Sequence, residues 1–584
     1  MQSEGEIGMV RGGHLLAKAF HEKNIKHVFT LAGGFCNPAL EGFKNYQIPV
    51  INCPHEQIAG HLADGHTRIT REPTICLVGP EGFANAVPAM MEAWGERSPV
   101  IFVTGSSTFK RKGAGGFKEI DDVAMAAPIT KYSFSVTDGT RIREFVDRAY
   151  KIAVSGYPGP VHLSIPVDIM FSSFPDDITE TERPFSQSSH STPRAWPDPK
   201  ALNEIIEVIA KSQRPILIAG HGVWWSKSEK KLATCAKGLG IPIFNIPYHQ
   251  KLLGQNYKEM MGLADVHQYH PSKWAFNNCD CVIMVGGRLD NQMNFGNPPL
   301  FPKTLQLICV NGSDEEIQMN RAADYLLLSD PGAFFEKLLL DKEKLIGNFE
   351  KNWLENHLQK RETWVDETLS DLVSKTSEKS WQGGVIHPLQ LAVDVMESMD
   401  DGNHLVFDGG NTHFWSEIAA NVVAQQGKNL STIMHPGSFS LLGLGVSFAV
   451  SLKRIYPEDT VVLISGDGAF LSGGLSIELA FQEKLPIVVI VDNNGGLDCI
   501  SQQQERMFQS GSHFATDFRD IPFDELFKGL GGYGELVTNR ADIKSAVKRA
   551  INSKKPACLN VKTRGQISPI VAATSDKRDK SSIE

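Results

Sequence analysis

The chain has 584 residues, a formal net charge of −9 and 41% hydrophobic residues. That length exceeds what one hydrophobic core serves, and at about 150 residues per domain it sets an expectation of three or four domains. Basic residues are dispersed except at 577–580, which excludes a nucleic-acid footprint and reads as a solvated end.

Residues 1–13, MQSEGEIGMVRGG, lack the apolar stretch of a secretory signal. No uncharged apolar run approaches the ~18 residues that span a bilayer, so a cytoplasmic protein without a membrane span is expected. From residue 10 to 170 helical and strand patterns alternate: HLLAKAFHEK, HVFTLAG, EQIAGHLADGHTRIT, TICLVGPEG, NAVPAMMEAW, SPVIFVTGS. Alternation of this kind predicts a doubly wound parallel sheet. Composition then shifts to Ser, Pro, Asp and Thr, as in an exposed linker. A second α/β run carries the strands RPILIAG, CVIMVGG and LQLICVN; charged helical sequence follows, and a third α/β run extends from about 387 to 563. The expected fold class is therefore α/β with three doubly wound parallel-sheet domains. The expected boundaries are 8–172, linker 173–198, central 199–342, helical linker 343–384, third domain 385–565 and flexible tail 566–584. The nine scattered cysteines, with no CxxC pair, read as reduced core residues. Gly220 to Gly222 and Gly286 to Arg288 follow strands of the central run, where a nucleotide and a plain tight turn are equally good readings.

The richest stretch is VVLISGDGAFLSGGLSIELAFQEKLPIVVIVDNN at 461–494. An apolar strand ends at Gly466, Asp467 and Gly468, a helix pattern crosses over, and a second strand ends at Asn494. Each turn taken alone reads as a hairpin signal, but neither is followed by a paired strand. Both fall at strand ends of one crossover unit, where doubly wound folds place ligands. Two hard oxygen ligands beside glycines suit a magnesium diphosphate. Far upstream, Glu56 opens a helix directly after the strand PVINC, a position where a glutamate ordinarily serves the helix dipole.

With these motifs together the chain resembles the thiamine diphosphate enzymes of the acetolactate synthase and 2-hydroxyacyl-CoA lyase superfamily, from about 12 to 562. The resemblance implies pyrimidine-binding, central nucleotide-type and diphosphate-binding domains, with thiamine diphosphate and Mg2+ at sites shared between subunits of a homodimer or homotetramer. It implies Asp467, Asn494 and the Gly496 carbonyl as magnesium ligands, with Gly466, Gly468 and Ala469 around the diphosphate. Glu56 is similar to the catalytic glutamate that meets the aminopyrimidine ring. The loop DGGNTHFW, with Gly410, Asn411 and Thr412, corresponds to the segment contacting that ring, and Leu442 to the apolar wedge that bends the cofactor. Gly79, Pro80 and Asn85 match a Gly-Pro-x-Gly-x-x-Asn turn at the pyrimidine edge.

The chain departs from acetolactate synthases at positions that choose the substrate. Gln292 stands where an arginine holds the second keto acid, Gln503 replaces a pocket tryptophan, and Phe-Gln-Glu reads Phe117-Lys118-Glu119. Substrate contacts are expected among Gly34, Phe35, Lys118, Gln292, Leu497 and Gln503. Segments such as RGGHLLAKAF, HEQIAGHLADG and HPGSFSLLGLGVSFA resemble the 2-hydroxyacyl-CoA lyase branch, which cleaves 2-hydroxyacyl-CoA to an aldehyde and formyl-CoA. An acetolactate synthase-like carboligase of 2-keto acids and a non-catalytic regulatory paralogue are the alternatives. For the central domain the resemblance leaves FAD, ADP or an empty site open, and Asn311 stands where an acidic residue would meet a ribose. A nicotinamide oxidoreductase is set aside, because no GxGxxG opens a helix with an acidic residue ~20 positions on.

Overall fold

The computed structural model describes residues 8–175, 194–246, 257–317, 319–345, 348–377, 385–508 and 513–580. The continuous apolar runs of the sequence form its central strands. Ile75–Val78, Cys281–Val285, Val461–Gly466 and Ile487–Asn493 are buried along their whole length. Strands covered by helices on both faces of a parallel sheet require such runs instead of alternation.

Three six-stranded sheets result, every strand pair in them parallel. The first consists of Val50–Asn52, Val28–Thr30, Ile75–Val78, Ile101–Ser106, Val161–Pro166 and Ser133–Ser135, in that spatial order. The third consists of Thr432–Met434, His404–Asp408, Val461–Gly466, Ile487–Asn493, Ala557–Lys562 and Tyr533–Val537. Counted by appearance within each sheet, both have the order 2-1-3-4-6-5. The central sheet differs: Met260–Leu263, Ile243–Asn245, Pro215–Ala219, Cys281–Val285, Gln306–Asn311 and Tyr325–Leu328 give 3-2-1-4-5-6, the dinucleotide-fold order. The α/β fold class with three parallel sheets is as expected.

By packing, the chain forms two compact units. One comprises residues 1–193 with 437–455 and 476–479; the other comprises 194–436, 456–475 and 480–584. In the first unit, an antiparallel pair of short strands, Met9–Arg11 and Ser173–Pro175, ties the start of the domain to its end. The helix Glu56–Thr70 packs against Pro80–Gly95 on one side and Gly445–Ile455 on another. Its glycines permit this approach: a Cβ at Gly60 would lie 2.5 Å from that of Ala89, and one at Gly65 would lie 2.8 Å from the Phe448 ring. In the second unit a single apolar cluster runs through the central and third sheets, and Trp353 and Trp364 of the long helix Trp353–Ser377 join it.

Three local outcomes differ from expectation. The Gly-Pro segment at 79–85 is the start of a helix, Pro80–Gly95, instead of a turn, because proline at the first helical position is pre-set for it. The free tail expected from 566 contains a helix, Pro569–Lys580, that packs along Asp498–Phe508 and buries Ile570 and Val571. The segment 437–455, third-domain sequence by its place in the chain, packs within the N-terminal unit. The predicted linker falls mostly at 176–193, outside the described residues. All nine cysteines are free and seven are buried. No helix among the described residues is long and apolar enough to cross a membrane.

Candidate active site

In the third sheet the strands His404–Asp408, Val461–Gly466 and Ile487–Asn493 are neighbours, so the residues after each share its carboxyl rim. The order also reverses here, between the first and third strands to appear, which is where open α/β sheets bind ligands. Asp467 opens the helix Asp467–Gly473 and is 3% exposed. Its Oδ1 accepts from the Gly468 amide at 2.7 Å, and its Oδ2 from the Gly495 and Gly496 amides at 2.8 and 3.1 Å. Gly495 has φ +84°, a conformation that folds the chain back over the carboxylate. A Cβ at Gly496 would lie 2.5 Å from the Thr516 carbonyl oxygen, so no larger residue fits without backbone movement.

Burial pushes the Asp467 carboxyl up to about 6, with the Asp492 carboxylate adding to the rise and the three amides opposing it. Asp492 is itself pushed up to about 6 by burial, although Thr563 and Thr412 donate to it, the latter at 2.7 Å. Asp498 is raised as well, chiefly by burial. Beside this excess of enclosed negative charge, Asn494 Oδ1 is buried with no hydrogen-bond partner among the described residues. A carboxylate and an orphaned amide oxygen on one rim are the hard donors that Mg2+ takes. The Gly496 carbonyl accepts from the Asp498 amide at 2.9 Å and retains a second lone pair. The donor set therefore fits the ion.

The Gly410 loop is braced on the same rim. Asn411 donates to Asp498 Oδ2 at 2.7 Å and accepts from the Ser568 amide at 3.1 Å. Cys499 lies against Gly410, and Thr412 lies against Gly466 while bonding Asp492. Ala469 is buried behind Gly468, and Leu497 covers Gly468, where a Cβ would meet its Cδ2 at 2.6 Å. Gln503, half-buried on the helix Asp498–Phe508, approaches Cys499.

In the N-terminal unit a second rim forms after strands Val28–Thr30, Val50–Asn52 and Ile75–Val78. Glu56 is the first residue of its helix and is 8% exposed; His55 caps that helix by accepting from the Gln57 amide at 3.1 Å. Asn85 donates to Glu56 Oε2 at 3.0 Å, and Oε1 lies over Gly82, where a Cβ would come within 2.8 Å. Gly79 caps the helix that Pro80 opens. Gly34 and Phe35 occupy a 3-10 turn, with Phe35 edge-on to Phe117. Lys118 lies over both rings and pairs with Glu81. Leu442, half-buried, lies on 437–455 and so in the same unit as Glu56.

Gln292 stands apart from these. It is 1% exposed, in the 3-10 turn Asn291–Gly296, enclosed by the central domain. The central glycines are accounted for by one another: Gly222 N donates to the Gly286 carbonyl at 2.7 Å, and a Cβ at Gly220 would meet that oxygen at 2.6 Å. Asn311 donates to the Gly287 carbonyl at 3.4 Å. Sequence reasoning missed Asp492 and Asp498, the braces of the Gly410 loop. The signal for Asp492 was present, an acid inside an otherwise apolar strand, IVVIVDN.

Three family models match the chain. The thiamine pyrophosphate enzyme N-terminal TPP-binding domain matches residues 10–125, the central domain 202–338 and the C-terminal TPP-binding domain 408–561. Among similar proteins are a probable acetolactate synthase large subunit of Methanococcus aeolicus, 24% identical over 94% of this chain and 92% of its own. A 2-hydroxyacyl-CoA lyase of Arabidopsis thaliana is 24% identical over 96% of each chain. An oxalyl-CoA decarboxylase of Escherichia coli is 25% identical over 95% of each.

Proposed function

Because the chain belongs to the thiamine pyrophosphate enzymes, we propose that it is a Mg2+-dependent carbon–carbon lyase that cleaves a 2-hydroxyacyl-CoA to an aldehyde and formyl-CoA. The observation that carries the substrate reading is that, among the described residues, neither Lys118 nor Gln292 offers an unpaired positive charge for a second keto acid. Glu81 neutralises the Lys118 ammonium, and Gln292 is uncharged and enclosed. A carboxylate left without its fork-shaped partner binds poorly, whereas an uncharged aldehyde needs no such partner. Likeness to acetolactate synthases at a similar identity supports the second reading, a 2-keto acid carboligase. The non-catalytic alternative lapses with membership of an enzyme family whose named relatives are synthases, lyases and decarboxylases.

Asp467, Asn494 Oδ1 and the Gly496 carbonyl are proposed to hold Mg2+ with the cofactor diphosphate against Gly466, Gly468 and Ala469. Bound there, the cofactor would supply an acidic ring carbon and an electron sink for cleavage of a carbon–carbon bond beside a carbonyl. Glu56 is proposed to hold the proton at the aminopyrimidine ring nitrogen, with Asn85 fixing one carboxylate oxygen so that the other faces the ring. Leu497, which covers Gly468, is proposed to keep water from the diphosphate, and the braced backbone from Gly410 to Thr412 to orient the ring; Leu442 is proposed separately as the apolar wedge. In the central domain the glycines already serve backbone packing, so FAD or ADP enters no step of this reading.

The test offers protein loaded with thiamine diphosphate and Mg2+ a 2-hydroxyacyl-CoA in one arm and pyruvate in the other. Aldehyde with formyl-CoA is the expected result; acetolactate or carbon dioxide from pyruvate alone would transfer the assignment to the second reading. Light scattering on the same sample should show the homodimer or homotetramer that sites shared between subunits require, and an active monomer would overturn that arrangement.

A further inference from the structure

The helix Asn411–Gln425 carries His413 and Glu417 one turn apart, a spacing that puts both on one face. His435 follows the strand Thr432–Met434 and meets them. All three side chains are buried. Glu417 Oε1 lies 3.4 Å from His413 Nε2 and 3.6 Å from His435 Nε2, and one ligand atom from each of the three residues lies within 4.8 Å of the others. Tetrahedral zinc, with bonds of about 2.0–2.2 Å to nitrogen and oxygen, sets its ligand atoms about 3.3–3.5 Å apart. Two edges of the triangle therefore already have nearly the metal-bound length.

Neighbouring groups aim these donors. The Pro436 carbonyl can only accept, so its 2.7 Å contact requires the proton on His435 Nδ1 and leaves the neutral ring's lone pair on Nε2. Gln268 donates to Glu417 Oε2 and to Asp265 Oδ2, both at 2.9 Å, which turns Oε1 toward the histidines. His413 is 1% exposed, and its Nε2 has no hydrogen-bond partner among the described residues. Its 3.4 Å approach to Glu417 Oε1 is a charge contact without good hydrogen-bond geometry, which leaves an enclosed polar atom poorly satisfied.

Charge agrees with geometry. Asp265 is pushed up to about 6, by burial first and with Glu417 contributing, against the bonds from Gln268 and His267. Glu417 and Asp265 place two enclosed carboxyls side by side, negative charge that a divalent cation between Glu417 and the two imidazoles would offset.

We propose that His413 Nε2, Glu417 Oε1 and His435 Nε2 bind a first-row divalent ion of the zinc class. The site is chemically distinct from the all-oxygen set at Asp467 and Asn494: imidazole donors favour zinc, copper, iron or nickel over magnesium. The ion pins the helix that follows the Gly410 loop to the end of the Thr432–Met434 strand, so its role is to position that loop.

The test uses the whole protein, purified without chelator and dialysed against metal-free buffer, with metal content read by plasma mass spectrometry. About one zinc-class ion per chain is expected. It should remain in Asp467→Asn, which weakens only the oxygen site, and be lost in Glu417→Gln and His435→Gln. Cobalt titration guards against misfolded variants: the wild-type chain, stripped and reloaded, should show the visible absorption of four-coordinate cobalt, displaced by zinc. Wild-type protein that holds no first-row metal and takes up no cobalt, or His435→Gln that retains as much metal as wild type, would overturn the site and leave a proton-bridged histidine–glutamate pair.

Discussion

Asp467 and Glu56 are both carboxylates at the start of a helix, yet their surroundings assign them different work. Three amides converge on Asp467 and fix its oxygens against the rise that burial and Asp492 cause, leaving an enclosed acceptor that a cation would satisfy. Glu56 has one amide donor, Asn85, and a glycine beneath its second oxygen. Glu56→Gln should lower turnover by about 10²–10⁴-fold, as loss of a positioned proton carrier does, while leaving the melting temperature and Mg2+-diphosphate binding near wild type. Steady-state kinetics and calorimetric titration of the cofactor check both halves, and full activity in the variant would remove Glu56 from its role. These two residues were legible in the sequence because each sits at a strand end within a short motif. The braces were not: Asp492 and Asp498 act on the Gly410 loop from 80 or more positions away, Thr563 bonds Asp492 in turn, and only the folded sheet brings them there.

At the scale of elements, the helix Glu56–Thr70 links the catalytic candidate to the packing of its unit. Gly65 faces the Phe448 ring and the Ser451 side chain, and Ser451 donates to the Leu62 carbonyl at 3.1 Å. Gly65→Val should cost about 1–3 kcal/mol by overpacking, more than the helix propensity gained on leaving glycine, and should lower the melting temperature. An unchanged melt would mean that the helix Gly445–Ile455 yields. Helix and strand identities were readable here, from caps and apolar runs. The partner of this helix was not, because a stretch nearly 400 residues away in sequence carries no local mark of the unit it completes. The terminal helix Pro569–Lys580 escaped notice for a related reason: its hydrophilic composition hides the two apolar residues that dock it.

The N-terminal unit as a whole is held by a buried charge cluster. Arg68 pairs with Asp64 at 2.6 Å and Glu92 at 3.2 Å, near Glu96; the Gly437 and Ser438 amides donate to Glu92 and Glu96 at 2.6 and 2.7 Å. Glu92 is pushed up to about 7, by burial first and by Glu96 and Asp64, against the pull of Arg68. A carboxyl held protonated in the fold stabilises it fully below its ordinary value of 4.5, and that contribution is lost as pH rises through about 7. Denaturant unfolding should therefore show stability falling between about pH 5 and 7, with a shallower fall in Glu92→Gln. An identical pH slope in the variant would show that Glu92 is ionised in the fold.

The return of 437–455 to the N-terminal unit has a practical meaning for anyone who would divide the coding sequence. A cut in the stretch between the second and third sheets, the natural place to separate modules on paper, severs the first module from its own final helix. A fragment that ends before 437 therefore lacks part of the packing that completes the first unit.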